Sequence, residues 1–151
     1  MDASAIILLV IAAGLFLWWR EKRSKAQPKE IPFVRGPGLY EVEVKGESHY
    51  QANLESLCGP RKAQGEEMET NATLHLENGN RADRNAVRVE IGGKQVGYLS
   101  RPDALTYREE LKRVGQAKLQ VARCNAVIRG GWRRRNGETG HYGVWLDLRR
   151  E

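Results

Sequence analysis

Beyond residue 38, apolar and polar residues alternate in a series of short stretches, and each predicts a strand with one buried face. In Leu39–Lys45, Tyr40, Val42 and Val44 fall on one side and Glu41, Glu43 and Lys45 on the other. Glu67–Glu77 alternates through Met68, Thr70, Ala72, Leu74 and Leu76. Asn85–Ile91 and Lys94–Leu99 meet at Gly92-Gly93, which predicts a hairpin. Lys118–Ile128 and Tyr142–Leu148 read as two final strands, with a polar loop over Arg129–Gly140 between them. Two segments carry helical spacing instead. Tyr50–Cys58 places Leu54, Leu57 and Cys58 together and is stopped by Gly59-Pro60. A second helix runs from Ser100, a good N-cap, to about Val114, with Pro102 and Asp103 in its first turn. Ala104, Leu105, Arg108 and Leu111 are read as one stripe of it. The fold class is therefore mainly β with two short helices: about six strands in a small barrel or half-open sheet with peripheral helices.

The start of the chain has a different pattern. Ala3–Trp19 contains no charge over 17 residues. At 1.5 Å per helical residue this reaches about 25 Å, the short end of what crosses a bilayer core. Trp18 and Trp19 stand where an aromatic belt lies, and Arg20–Lys25 follows with four positive charges and one negative. Positive flanks stay in the cytoplasm, so residues 1–23 are expected to be a single-pass membrane anchor and basic flank, with the C-terminal domain cytoplasmic. A cleavable signal peptide is the rival reading, but positive charge normally precedes its apolar run, and here it follows. Residues 24–38, with Pro28, Pro32 and Pro37, read as a semi-extended linker to a domain over 39–151.

Composition then narrows the function. The chain of 151 residues carries a net charge of +6. The part from Ala26 onward still holds 21 Lys and Arg against 17 Asp and Glu. A basic balance points to polyanions, either nucleic acid or an anionic membrane surface. Two cysteines exclude a disulfide scaffold and an all-cysteine zinc site. His49, His75 and His141 have no metal-ligand spacing with Cys58 and Cys124, and no Walker motif is present. Neither a catalytic constellation nor a cofactor motif is legible, so the expectation is a non-catalytic module without a cofactor.

Three blocks occur in order: Val44-Lys45-Gly46-Glu47-Ser48-His49-Tyr50, then Asn80-Arg81-Ala82-Asp83-Arg84-Asn85-Ala86-Val87, then Val96-Gly97-Tyr98-Leu99-Ser100-Arg101 with Ala104. Together they resemble the HIRAN domain family over about residues 39–114. The resemblance implies a modified OB-like barrel that binds nucleic acid, single-stranded DNA or 3′ strand ends in particular. It also implies a pocket containing Ser48, His49, Tyr50, Asn80, Asp83, Tyr98 and Arg101. End-capturing relatives carry an Arg and a Tyr where Ser48 and His49 stand, and an aromatic where Ala82 stands.

The chemistry is consistent with those residue types. Tyr50, Tyr98 and His49 offer flat faces for bases, and Arg101 brings a cation to a helix start. Asp83 repels phosphates but accepts a hydrogen bond from a sugar hydroxyl or a base amine. Asp83 and Asn85 equally suit bonds to their own backbone, and Tyr98 equally suits packing. Between Glu110 and Glu138 there are eight bases and no acid. Trp132, Arg133, Arg134 and Arg135 lie among them, in a Gly-rich stretch suited to phosphate tracking with base stacking. The same loop, 129–135, also suits contact with anionic lipid or plain solvation. The expected partners are thus nucleic acid, and the membrane through residues 3–19. A membrane-proximal module for protein or anionic lipid is the alternative.

Overall fold

The computed structural model describes residues 30–150. The anchor expected at residues 3–19, its basic flank and the first part of the linker lie outside them. Among the described residues no helix is long and apolar enough to cross a membrane.

Six strands, β1 (Val42–Lys45), β2 (Glu66–Leu76), β3 (Val87–Ile91), β4 (Lys94–Leu99), β5 (Val121–Gly130) and β6 (Tyr142–Leu146), form the sheet. It closes in the order β1-β4-β3-β2-β5-β6, every neighbouring pair antiparallel. The alternation therefore yields a closed barrel and not a half-open sheet, in which every strand has a neighbour on both sides. Val42, Val44, Ala72 and Leu74 face inward as the alternation predicts, whereas Met68, Thr70 and Leu76 are only half-buried; Val87, Val89 and Ile91, Cys124, Ala126 and Ile128, Val144 and Leu146 complete the core. Each Val, Leu or Ile fully buried in this way contributes about 1.5–3 kcal/mol. Gly92 and Gly93 both take positive φ, 57° and 75°, and form the β3–β4 hairpin turn.

Strand ends differ from the pattern for local reasons. The first strand begins at Val42, because Tyr40 takes a left-handed φ of 50° and Leu39 is 62% exposed. The third begins at Val87, because the Asn85 amide is bonded to the Asp83 side chain and not to a neighbouring strand. The fifth extends two residues further than expected, to Gly130, pairing with Glu66 of β2.

The helices are α1 (Gln51–Cys58), preceded by a 3-10 turn over Glu47–Tyr50, and α2 (Arg101–Arg113). Gln51 ties α1 to the barrel: its side-chain amide donates to the Tyr142 carbonyl at 2.9 Å and accepts from the Tyr142 N–H at 2.8 Å. Ser100 caps α2, accepting from the Asp103 amide. The buried stripe of α2 is Ala104, Tyr107 and Leu111. Leu105, expected in the core, is 46% exposed, and Arg108 faces outward to the β2–β3 loop. The spacing fits either stripe, and packing selects the one that buries the larger Tyr107 ring. Burial raises the Tyr107 phenol pKa, and its buried hydroxyl has no hydrogen-bond partner among the described residues.

Part of the expected linker belongs to the fold. β6 covers β5 only from Ala126 onward, so the remaining β5 edge needs other partners. Pro32–Val34 supplies them: the Arg123 amide donates to the Pro32 carbonyl at 2.8 Å, and the Val34 amide to the Arg123 carbonyl at 2.7 Å. The buried Asp147 then accepts from the Gly38 amide at 2.6 Å. The compact unit therefore begins at Ile31 and includes this strap.

Candidate nucleic-acid interface

Asn80, Asp83, Tyr98 and Arg101 lie toward the end of β2 and Trp132–Arg135 beside its start, while Ser48, His49 and Tyr50 stand apart on the turn that packs on β4 and β6. Strand β2 has 11 residues, which at about 3.3 Å each spans roughly 35 Å. Its start pairs with Gly130 at the β5–β6 hairpin, and its end pairs with Val87 beside the β2–β3 loop.

At the loop end, Asn80 and Asp83 are first of all organisers of their own segment. Asn80 Oδ1 accepts from the amides of Ala82 and Asp83 at 2.9 and 3.2 Å, and its Nδ2 donates to Glu77 at 2.8 Å. Asp83 Oδ1 accepts from the Asn85 amide at 2.8 Å. The other oxygen, Oδ2, faces the Arg101 guanidinium at 3.8 Å. That guanidinium is 81% exposed on its side chain, and it sits at the first residue of α2. Asp83 thus retains acceptor capacity on one side and a cation next to it, a pairing suited to a hydroxyl beside a phosphate.

Tyr98 lies three residues before Arg101, half-buried on β4. It pairs across the sheet with Lys45 of β1 and Arg88 of β3, and Arg88 in turn pairs with His75 of β2. These four form one row across the outer wall. Arg88 donates to Glu77 at 2.8 Å and to Glu90, and His75 lies 3.0 Å from Glu90. Ser48 and His49 are exposed and Tyr50 half-buried on the 3-10 turn that follows β1 and packs on β4. Hence Asp83 faces Arg101 and Tyr98 lies three residues before it, whereas the Ser48–Tyr50 turn packs on β4 and β6 and leads into Gln51, bonded to Tyr142 beside the β5–β6 hairpin, so the structure does not bring it to the same point.

Trp132, Arg133, Arg134 and Arg135 are elsewhere. What reads as a loop is a continuation of the β5–β6 hairpin, with Arg133 bridged to Thr139 and Trp132 to Lys62. Trp132 is half-buried: Gly140 lies against its ring, and the Arg134 guanidinium sits 4.7 Å from the ring centre. Arg134 also pairs with Glu138 at 3.0 Å. Arg129 pairs with Glu67 at 3.3 Å and covers Trp145, and Arg61 covers the Tyr142 ring. Lys62 is bonded to Glu66, whose carboxylate raises its pKa. Arg129 and Arg134 are therefore matched locally, whereas Arg133 and Arg135 are exposed and meet no carboxylate among the described residues. The stacking plane expected at Trp132 is already occupied on its own hairpin.

Arg108 is a residue the sequence reading misplaced. From α2 it donates to the carbonyls of Asn85 and Ala86 and to the Asn78 side chain, at 2.8, 3.2 and 2.8 Å. Arg81 and Arg84 were legible as bases inside the Asn-Gly-Asn-Arg-Ala-Asp-Arg-Asn turn and are exposed there. They border an open pocket of about 420 Å³ with Asn78, Gly79 and Asn80. Among the described residues no three His, Cys, Asp or Glu side chains converge as metal ligands. Comparison of the chain with protein-family models, with curated proteins and with solved structures finds no match.

Proposed function

We propose that this chain is a membrane-anchored, cytoplasm-facing module of the HIRAN type. Its OB-like barrel binds nucleic acid without catalysis, single-stranded DNA or strand ends in preference. The observation that carries the reading is the meeting of two of the three resembling sequence blocks at one point. Asp83 of the second block faces Arg101 of the third, three residues beyond Tyr98. A carboxylate with a spare oxygen, an exposed guanidinium at a helix start and an aromatic ring suit a terminal sugar hydroxyl, its neighbouring phosphate and a base. Residues 3–19 supply the tether, since an uncharged run followed by a basic flank is the pattern of a single-pass anchor.

The test is fluorescence anisotropy of the fragment from Glu30 onward with labelled single strands. Binding that weakens as salt rises, and that weakens further in Arg101→Ala, is the expected result. No binding at low ionic strength overturns the reading. Competition between free and blocked 3′ ends then decides whether an end is captured.

A second reading draws on a separate observation. Ile31 and Phe33 on the strap are 42% and 44% exposed, next to Arg123. Apolar tips beside a cation suit lipid headgroups, as in a membrane-proximal module for anionic lipid or protein. Flotation of the same fragment with phosphatidylglycerol vesicles, in the absence of oligonucleotide binding, would establish it.

A further inference from the structure

The β2–β3 loop combines dense internal bonding with unmatched charge. Asn80 and Asp83 bond the amides of residues 82, 83 and 85, and the Ala86 amide donates to the Asp83 carbonyl at 3.0 Å. Arg108 fastens both the Asn78 and the Asn85–Ala86 sides from α2. Asn78 in turn donates to Gln120 at 2.9 Å. The backbone is thus fixed by side chains that point into the loop.

The charges around it pair off in the same way. Asp83 faces Arg101, and Glu77 takes Arg88. Glu90 takes Arg88 and His75, while Arg108 is spent on carbonyls and an amide. Two cations are left over. Arg81 and Arg84 are exposed, and neither meets a carboxylate among the described residues. Both border the pocket beside Asn78, Gly79 and Asn80. Fixed backbone with free guanidiniums is the arrangement that binds an anion at low ordering cost, because only the side chains must settle.

We propose that Arg81 and Arg84 form a phosphate grip for a nucleic-acid strand, holding successive backbone phosphates as the strand leaves the Asp83–Arg101 point. This deepens the nucleic-acid reading above and rests on it. Guanidiniums match the paired oxygens of a phosphodiester, and the site takes backbone, not bases, so it is indifferent to sequence.

The experiment is the salt dependence of binding to a labelled single strand. It uses the full chain in non-ionic detergent and the fragment from Glu30. Each phosphate contact on a single strand adds about 0.7 to the slope of log K against log salt, so R81A/R84A should make the slope shallower by about 1.4. R81K/R84K should restore most of it, because the charge is retained. Neither side chain bonds the loop, so both variants keep the wild-type melting curve. An unchanged slope in R81A/R84A, with the wild type binding normally, overturns the grip and leaves the nucleic-acid reading standing. Absence of wild-type binding removes that reading and the grip with it. A normal oligonucleotide slope with loss of binding to phosphatidylglycerol vesicles assigns the two arginines to lipid and overturns the proposal.

Discussion

The two ends of β2 carry basic segments of similar appearance and opposite construction. At the β5–β6 hairpin several cations are engaged, Arg134 with Glu138 and Trp132, Arg129 with Glu67 and Trp145, Lys62 with Glu66, while Arg133 and Arg135 are exposed and meet no carboxylate among the described residues. The chain there is held by close packing, with Gly131 against the Tyr142 ring and Gly140 against Trp132. At the β2–β3 loop the chain is held by hydrogen bonds from Asn80, Asp83 and Arg108, and the arginines at its rim are free of carboxylates among the described residues. Charge density along a sequence is therefore a poor guide to charge available for a ligand. What counts is the remainder after local pairing, and at each end that remainder is two arginines, Arg133 and Arg135 on the hairpin and Arg81 and Arg84 at the loop.

The largest expected effect breaks the packed end. Gly131 has φ 67°, and a Cβ there would overlap the Tyr142 ring, so Gly131→Ala should destabilise the barrel by about 3 kcal/mol in urea unfolding. The matching change at the other end, Gly79→Ala, meets nothing and should stay within about 0.5 kcal/mol. Equal effects would show that the two ends are not built differently.

Next comes the bonded end. Arg108→Ala removes three hydrogen bonds, leaving the Asn85 carbonyl without its Arg108 donor and the Ala86 carbonyl with the Glu77 amide alone. Its expected cost is about 2 kcal/mol, with raised amide exchange confined to residues 78–86. Raised exchange at the hairpin as well would refute the separation of the two ends.

The wall between them can be read through its thiols. Burial pushes the Cys124 thiol pKa from 9.0 up to about 12, and raises that of Cys58 as well. Cys124 is buried in the barrel wall and Cys58 only partly covered, so a thiol reagent at pH 8 should label Cys58 alone in the folded chain. The unfolded Cys124 thiol ionises near 9 while the folded one stays protonated. Its contribution to stability is thus fully present below pH 9 and is lost as pH rises toward 12. Labelling of Cys124 in the native state at pH 8 would contradict its place in the core.

The smallest effect is also the sharpest for the comparison. Glu138→Gln releases Arg134 from its carboxylate at a stability change below about 0.5 kcal/mol. If local pairing is what withholds the hairpin from phosphates, its salt slope with a single strand should steepen by about 0.7. No change in slope would mean that the hairpin lies away from the strand's path.

The sequence by itself determined the strand and helix set and the inward face of the first strand and of the middle of the second, because side-chain alternation and helical spacing are local properties of the chain. It also determined the Gly92-Gly93 turn and the Ser100 cap, where a single residue's chemistry suffices. Asp83 and Arg101 were legible as candidate residues, but that the β2–β3 loop brings Asp83 to the first residue of α2 was not. Tertiary structure alone decided that the sheet closes, that Tyr107 and not Leu105 enters the core, and that Pro32–Val34 straps β5. It alone revealed that Arg108 clamps a loop 23 residues before it in the chain. The reason is common to all four: each depends on which distant groups are left unsatisfied when the strands have paired. That remainder, of area, of hydrogen bonds and of charge, is fixed only by the assembled barrel.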